Sequence, residues 1–154
     1  MDDTQPPVQS LIPHSGAMCL LDGIRVWDAA GITCFASSHT RADNPLRHDN
    51  RLSAQAGIEY AAQAMAAHAA LANPAGPRRG YLAVVNKVRW HVDRLDRIES
   101  PLEVRAWCVL PLPAGQCYGF ALDSHGARLL EGEAIVVMPD STEPTRQLTD
   151  NPSR

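Results

Sequence analysis

The sequence predicts an α+β fold in which an antiparallel β-sheet wraps around one long central α-helix. Residues 52–72, LSAQAGIEYAAQAMAAHAALA, contain no proline, ten alanines in 21 positions and a single permanently charged side chain, Glu59. Ala, Gln, Leu and Met favour the helix, and at ~1.5 Å per residue the run is about 31 Å long. A surface helix carries a charged stripe, and this one has none, so it is expected to be surrounded by protein. The remaining apolar runs read as strands, two before the helix and four after it. No strand–helix–strand alternation occurs, which argues against a parallel sheet. Alanines on the helix let a sheet approach its axis, where larger side chains would overfill the space.

A chain of 154 residues fits one domain, and at that size roughly 70% of the unfolded surface is buried. A net charge of −3 with 20% charged residues lacks the strongly basic face of a nucleic-acid binder. The opening MDDTQPP has neither the basic region nor the apolar core of a signal peptide. Outside the helix no run reaches the ~18 apolar residues of a membrane span, and the helix itself contains Ser53, Gln55, Glu59, Gln63 and His68. Cys19, Cys34, Cys108 and Cys117 form no C-x-x-C pair, and the six histidines form no H-x-H or H-E-x-x-H pair. No metal site is expected, and the cysteines are read as reduced, mostly buried and cytoplasmic.

In order, residues 1–10 read as a flexible arm ahead of a single domain spanning 11–139. Leu11 to Met18 is a lead-in marked by Pro13 and Gly16. Residues 19–28 and 32–38 read as strands joined by a hairpin at Ala29-Ala30-Gly31, the second alternating Ile32, Cys34 and Ala36 with Thr33, Phe35 and Ser37. Residues 39–51 are polar and irregular, with Asp49 or Asn50 as candidate helix caps. Asn73-Pro74-Ala75-Gly76-Pro77 stops the helix. Strands follow at 80–92, 102–110, 116–123 and 127–138, with breaks at 111–115 and at Asp123-Ser124-His125-Gly126. Trp90 and Trp107 are expected in the core. Residues 140–154 read as a disordered tail.

Glu59 and Gln63 stand four residues apart and share a helix face, with Leu52, Ala56, Ala66 and Ala70 around them. A carboxyl among small apolar side chains is expected to have a raised pKa, which suits a general acid. A core polar pair satisfied by a nearby basic group is the alternative. Neither Cys19 nor Cys34 has an activating neighbour, so a thiol nucleophile is not supported.

Three stretches then resemble the 3-hydroxyacyl-(acyl-carrier-protein) dehydratases, a hotdog-fold family. Ile12-Pro13-His14 with Met18-Cys19-Leu20-Leu21-Asp22 is similar to that family's N-terminal L-P-H-R-x-P-x-L-L-V-D segment. Glu59-Tyr60-Ala61-Ala62-Gln63 is similar to its helix motif E-A-x-A-Q, and residues 80–92 resemble the strand after the helix. The similarity runs over residues 11–138 and is nearest to a short, divergent branch associated with aryl-polyene pathways. The resemblance implies elimination of water from a 3-hydroxyacyl thioester to give a 2-enoyl thioester, with no metal or redox cofactor.

Under that resemblance Glu59 is the acid that protonates the departing hydroxyl, and Gln63 holds and orients Glu59 beside the substrate. The thioester carbonyl is polarised by a backbone N–H at the helix start, where Ala54 takes the position of the family's glycine. The base is expected at His48, although it stands eleven residues before Glu59, where the family's histidine stands about fourteen before it in a G-H-F-P-G loop that this chain lacks. His39 and His14 are the alternative bases, although the family's counterpart of His14 is not the base and a structural anchor is the expected role for it. The family is dimeric, which implies a homodimer or a heterodimer with a related hotdog subunit. Arg78, Arg79, Lys87, Arg89, Arg94 and Arg97 outnumber Asp93 and Asp96 over residues 78–97, a surplus that suits an acidic acyl carrier protein and its phosphopantetheine-linked substrate. A hotdog thioesterase using Glu59 and a non-catalytic partner subunit are the competing expectations.

Overall fold

A computed structural model of the chain describes residues 5–73, 75 and 80–138. The strands are β1 (Gly23–Asp28), β2 (Gly31–Ala36), β3 (Tyr81–Trp90), β4 (Leu102–Leu112), β5 (Gly115–Ser124) and β6 (Ala127–Val137), and the helix α1 (Ala56–Ala72) separates β2 from β3. Among the described residues they form one sheet of order β1-β2-β4-β5-β6-β3, antiparallel at every pairing. The expected wrapped-helix architecture is therefore the one observed. Both turns flagged between adjacent strands form. Asp28 Oδ1 accepts the N–H groups of Ala30 (2.8 Å) and Gly31 (3.0 Å) at the first. His125 (φ 52°) and Gly126 (φ 79°) make the left-handed pair of the second, whose twist matches that of the strands.

The helix packs against β2, β4 and β5. Ala61, Ala64 and Ala67 are completely buried on this side, with Tyr60 and Met65 among the largest buried side chains. Gly57 shows how close the approach is: a Cβ there would lie 2.7 Å from Leu130 Cδ2. A second tie is polar. His68 Nε2–H donates to the Asp28 carbonyl and its Nδ1 accepts from the Tyr118 hydroxyl, both at 2.8 Å, with burial pushing the Tyr118 phenol well above its usual range on a ring set edge-on to His68.

Several boundaries differ from the sequence reading. Strand β1 begins at Gly23, not residue 19, because Gly16–Met18 closes a 3-10 turn and Leu20 hydrogen-bonds to side chains instead of a strand. Strand β4 runs through Pro111 to Leu112. Its pairing with β2 ends at Trp107, so the missing N–H of Pro111 faces no neighbour on that side. The expected arm is only partly described: residues 1–4 lie outside the described residues, while Val8–Ser10 forms a 3-10 turn with Val8 buried. Residues 139–154 also lie outside them. Trp90 and Trp107 are not core residues, being 43% and 39% exposed. Trp107 lies on the outer sheet face over Gly119, where a Cβ would meet its ring at 2.4 Å. Of the four cysteines only Cys34 is buried, and that burial pushes its thiol up to about 12.

The helix starts four residues later than expected. Residues 52–54 pair with 93–95 instead: Leu95 N–H donates to the Leu52 carbonyl (2.8 Å) and Ala54 N–H to the Asp93 carbonyl (2.9 Å). Asp96 Oδ1 accepts the Leu52 N–H at 3.0 Å. Asp49 and Asn50 do not cap the helix; with φ of 49° and 60° they form the tip of a tight hairpin in which His48 and Arg51 exchange both backbone hydrogen bonds. Among the described residues no helix is long and apolar enough to cross a membrane.

Asp96 makes this junction sensitive to acid. Hydrogen bonding from Arg94 holds its carboxyl far below the usual carboxylate range. A depressed folded-state pKa stabilises fully above the unfolded value near ~4 and loses that contribution as pH falls below it. Urea unfolding is therefore expected to show a midpoint that drops between neutral pH and about pH 3. In Asp96→Asn the midpoint should be lower at neutral pH and the acid drop smaller; an undiminished drop contradicts the assignment.

Candidate functional site

Glu59 lies in the first turn of α1, one position before the buried Tyr60. Its face of the helix is the one the sheet leaves uncovered. Glu59, Ala62, Ala66 and Ala69 share it and line a cavity of about 200 Å³ together with Leu11, Pro13, His14, Tyr81, Leu82, Val136 and Met138. The small side chains thus serve two purposes. Those at 61, 64 and 67 admit the sheet, and those at 62, 66 and 69 leave room for something else. Glu59 is not sealed in, as the helix composition had suggested, since its side chain keeps 36% of its exposure. The premise of a deeply buried carboxyl does not hold.

The structure brings His14 to Glu59. His14 Nε2 lies 3.1 Å from Glu59 Oε1, and His14 is 29% exposed. Its other ring nitrogen, Nδ1, is buried and has no hydrogen-bond partner among the described residues. A histidine and a carboxylate at this separation can pass a proton between them. The free Nδ1 leaves the imidazole a second position from which to accept or deliver one. The pair sits at the polar end of an otherwise apolar cavity, the combination expected of a small-molecule site.

The other expected site residues are placed differently. Gln63 does not orient Glu59: it is completely buried, its Oε1 accepts the Leu20 N–H (2.9 Å) and its Nε2 donates to the Met18 carbonyl (2.7 Å). Ala54 offers no free amide for a developing oxyanion, because its N–H is bonded to the Asp93 carbonyl. The next amides, of Ala56, Gly57 and Ile58, reach the carbonyls of Ser53, Ala54 and Gln55. His48 is not beside Glu59 within the chain. It stands 93% exposed on the hairpin tip, near Asp49 at 3.5 Å, and lines a separate depression with Leu46, Arg51, Ser53, Asp93, Arg94 and Arg97. His39 is sealed in the core, donating Nε2–H to the Ile98 carbonyl at 2.9 Å, and burial lowers its pKa.

Sequence reasoning offered His14 only as an alternative base to His48 and did not see the polar cluster around Tyr60. Tyr60 donates its hydroxyl to Ser38 Oγ (2.6 Å), Ser38 donates to the Leu20 carbonyl (2.7 Å), and Asn44 Nδ2 donates to Tyr60 Oη (3.1 Å). The signal available was the lead-in motif itself, whose histidine and Leu-Leu pair face the helix motif.

Comparison with known proteins agrees with this fold. A sequence profile of the ApeP-like family, described as ApeP dehydratase, matches residues 6–148. No curated protein matches the chain. Among solved structures, a chain of the dehydratase heterocomplex ApeI:P from Xenorhabdus doucetiae superposes with a TM-score of 0.79 at 21% identity, covering 90% of this chain and 95% of that one. A homologue of HP0420 from Helicobacter felis gives 0.64 at 13%, covering 90% and 93%. The thioesterase HI1161 from Haemophilus influenzae gives 0.60 at 10%, covering 80% and 81%. At these identities the likeness is one of fold, the hotdog fold.

The two helix faces should respond oppositely to bulk. Ala67→Leu, against the sheet, is expected to lose ~1–3 kcal/mol in urea unfolding. Ala66→Leu, facing the cavity, should stay within ~0.5 kcal/mol while abolishing binding of a fatty-acyl probe measured by calorimetry. Equal destabilisation by the two would contradict the assignment of faces.

Proposed function

The chain belongs to the ApeP-like dehydratase family, and from that premise we propose that it eliminates water from a 3-hydroxyacyl thioester carried by an acyl carrier protein, with Glu59 and His14 as the acid–base pair. The observation that carries this reading is the 3.1 Å approach of His14 to Glu59 at the mouth of an apolar cavity. His14 removes a proton from C2, the C3–O bond breaks, and the Glu59 carboxyl gives its proton to the departing hydroxyl, which leaves as water. The product is the 2-enoyl thioester. The imidazolium then returns its proton to the Glu59 carboxylate across their contact, and the pair is reset. Each transfer of this kind contributes about 10²–10⁴-fold when the groups are well placed. The protons balance within the pair, and the chemistry calls for no cofactor.

The proposal includes a second hotdog subunit. Among the described residues strand β3 pairs only with β6, so its other edge is open there, and Tyr81, Leu82, Val84 and Trp90 on it are exposed. A long apolar edge of this kind is a template for pairing with another chain. The dehydratase heterocomplex ApeI:P supports a related subunit as that partner. Tyr81 and Leu82 also line the cavity, so pairing there would complete its wall.

An acidic carrier protein is the proposed donor of substrate, in the cytoplasm. Arg51, Arg94 and Arg97 surround the depression beside the His48 hairpin, against Asp49 and Asp93. Arg78 and Arg79, the other part of the basic surplus, lie outside the described residues. A second reading keeps His48 as the base and has its exposed hairpin serve the cavity of a partner subunit; the 93% exposure of His48 favours it.

Mass spectrometry of a 3-hydroxyacyl carrier protein separates the readings. Loss of water is the expected result, release of free acid would indicate a thioesterase, and no change until a related subunit is added would indicate a supporting role. Glu59→Gln and His14→Ala should each lower the rate by ~10²–10⁴-fold without unfolding the chain. His48→Ala should keep the rate within a few-fold; the reverse pattern transfers the base to His48. For the interface, Val84→Lys should shift the complex toward separate subunits in sedimentation analysis, and an unchanged assembly would exclude the β3 edge.

A further inference from the structure

His14 has little of its own to hold it. Its imidazole lies 3.1 Å from Glu59 Oε1 at Nε2, and Nδ1 has no partner among the described residues. Its backbone is suspended between two anchors. On one side Leu11 and Ile12 are buried in the core. On the other, the chain runs through Gly16 at φ +60° and a 3-10 turn closed by Cys19 N–H to the Gly16 carbonyl (3.1 Å). That turn leads directly to the backbone of Met18 and Leu20, which Gln63 grips from the helix.

The grip uses both ends of the amide. Oε1 accepts from Leu20 N–H at 2.9 Å and Nε2 donates to the Met18 carbonyl at 2.7 Å. An amide carries an acceptor and a donor side by side on one planar group at any pH, and Gln has a longer reach than Asn. The remaining polar group of Leu20, its carbonyl, is held by Ser38, which Tyr60 holds in turn. Two residues of the same helix segment as Glu59 therefore fix the end of the lead-in segment that carries His14. The helix that carries the carboxylate also sets the distance to its histidine.

We propose that Gln63 is the positioning residue of the site, acting on His14 through the backbone of Met18 and Leu20 and not on Glu59. This rests on the reading that His14 and Glu59 work as a pair. It makes the register between the lead-in segment and the helix the quantity that Gln63 controls.

The substitution Gln63→Glu tests it, because a carboxylate still accepts from Leu20 N–H but has no proton for the Met18 carbonyl. In the complete enzyme, with its partner subunit if one is required, kcat is expected to fall more than about tenfold near neutral pH while KM stays within about twofold. As pH is lowered, the introduced carboxyl takes up a proton, regains its donor, and kcat should recover relative to wild type. A merely structural role would lower thermal stability without moving the pH profile. Gly16→Ala disturbs the same link from the surface, since no atom lies within 4 Å of the added Cβ and the only strain is at φ +60°; it should also lower kcat and leave KM alone.

A readout independent of turnover is the ¹⁵N spectrum of the His14 ring. Gln63→Glu should reproduce, near neutral pH, the change that Glu59→Gln causes in those signals. A folded Gln63→Glu protein with wild-type His14 signals overturns the proposal, as does a wild-type pH profile of kcat. If the wild-type enzyme removes no water from any 3-hydroxyacyl thioester, the proposed function fails, and the His14 spectrum still decides whether Gln63 positions that ring.

Discussion

The constraint on which the structure depends is the short distance between α1 and the sheet that wraps it. A sheet that approaches to within contact of Gly57, Ala61, Ala64 and Ala67 excludes larger side chains along that side of the helix. The helix consequently has little apolar bulk of its own with which to grip the sheet. It depends on a few large side chains, Tyr60 and Met65 among them, and on polar ties at defined points. His68 joins its far end to the β1–β2 turn and to β5, while Gln63 and Tyr60 join its near end to the lead-in segment. In a low-dielectric interior each such tie has to be complete, because an unmatched polar group there is costly. That requirement makes the segment before β1 part of the core instead of a loose approach to it.

The same geometry creates the site. Strands β2, β4 and β5 cover the helix on the side of Ala61 and Ala64 and leave the side of Glu59, Ala62, Ala66 and Ala69 to the lead-in, β3 and the end of β6. Small side chains on an uncovered face leave a cavity, and the polar residue at its end meets whatever the lead-in presents. Here that is His14. The open edge of β3 borders the same cavity, so catalysis and assembly are coupled in the proposed function through shared residues. Tyr81 and Leu82 face both.

Much of the fold could be read from residue order. The alanine-rich segment without a charged stripe identified the helix, and β-branched and aromatic runs separated by turn residues identified the strands. The boundary errors share one cause. Residues 52–55 have helix-compatible composition, yet the backbone of Leu52 and Ala54 pairs with residues 93–96 and leaves the helix to begin at Ala56. Likewise Cys19 to Asp22 looks like a strand, but Leu20 satisfies its backbone with Gln63 and Ser38. In both cases a contact distant in sequence outweighed local propensity, which differs by only a fraction of a kcal/mol, ~0.7 or less, between most residues. Trp90 and Trp107 were misplaced because a large aromatic on a strand says nothing about which sheet face will be covered.

By itself, the sequence determined the central helix and the one carboxylate on it: Glu59 stands alone on an alanine-rich helix, and helical spacing alone puts Gln63 near it. Spacing along a chain does not determine partners across it. Whether Gln63 faces Glu59 or the lead-in, and whether the histidine beside Glu59 comes from residue 14 or residue 48, depends on where segments 40 or more residues apart come together. Only the tertiary structure decided those points. It did so because a buried amide must satisfy both its donor and its acceptor, and the groups that satisfy Gln63 are the backbone of Met18 and Leu20.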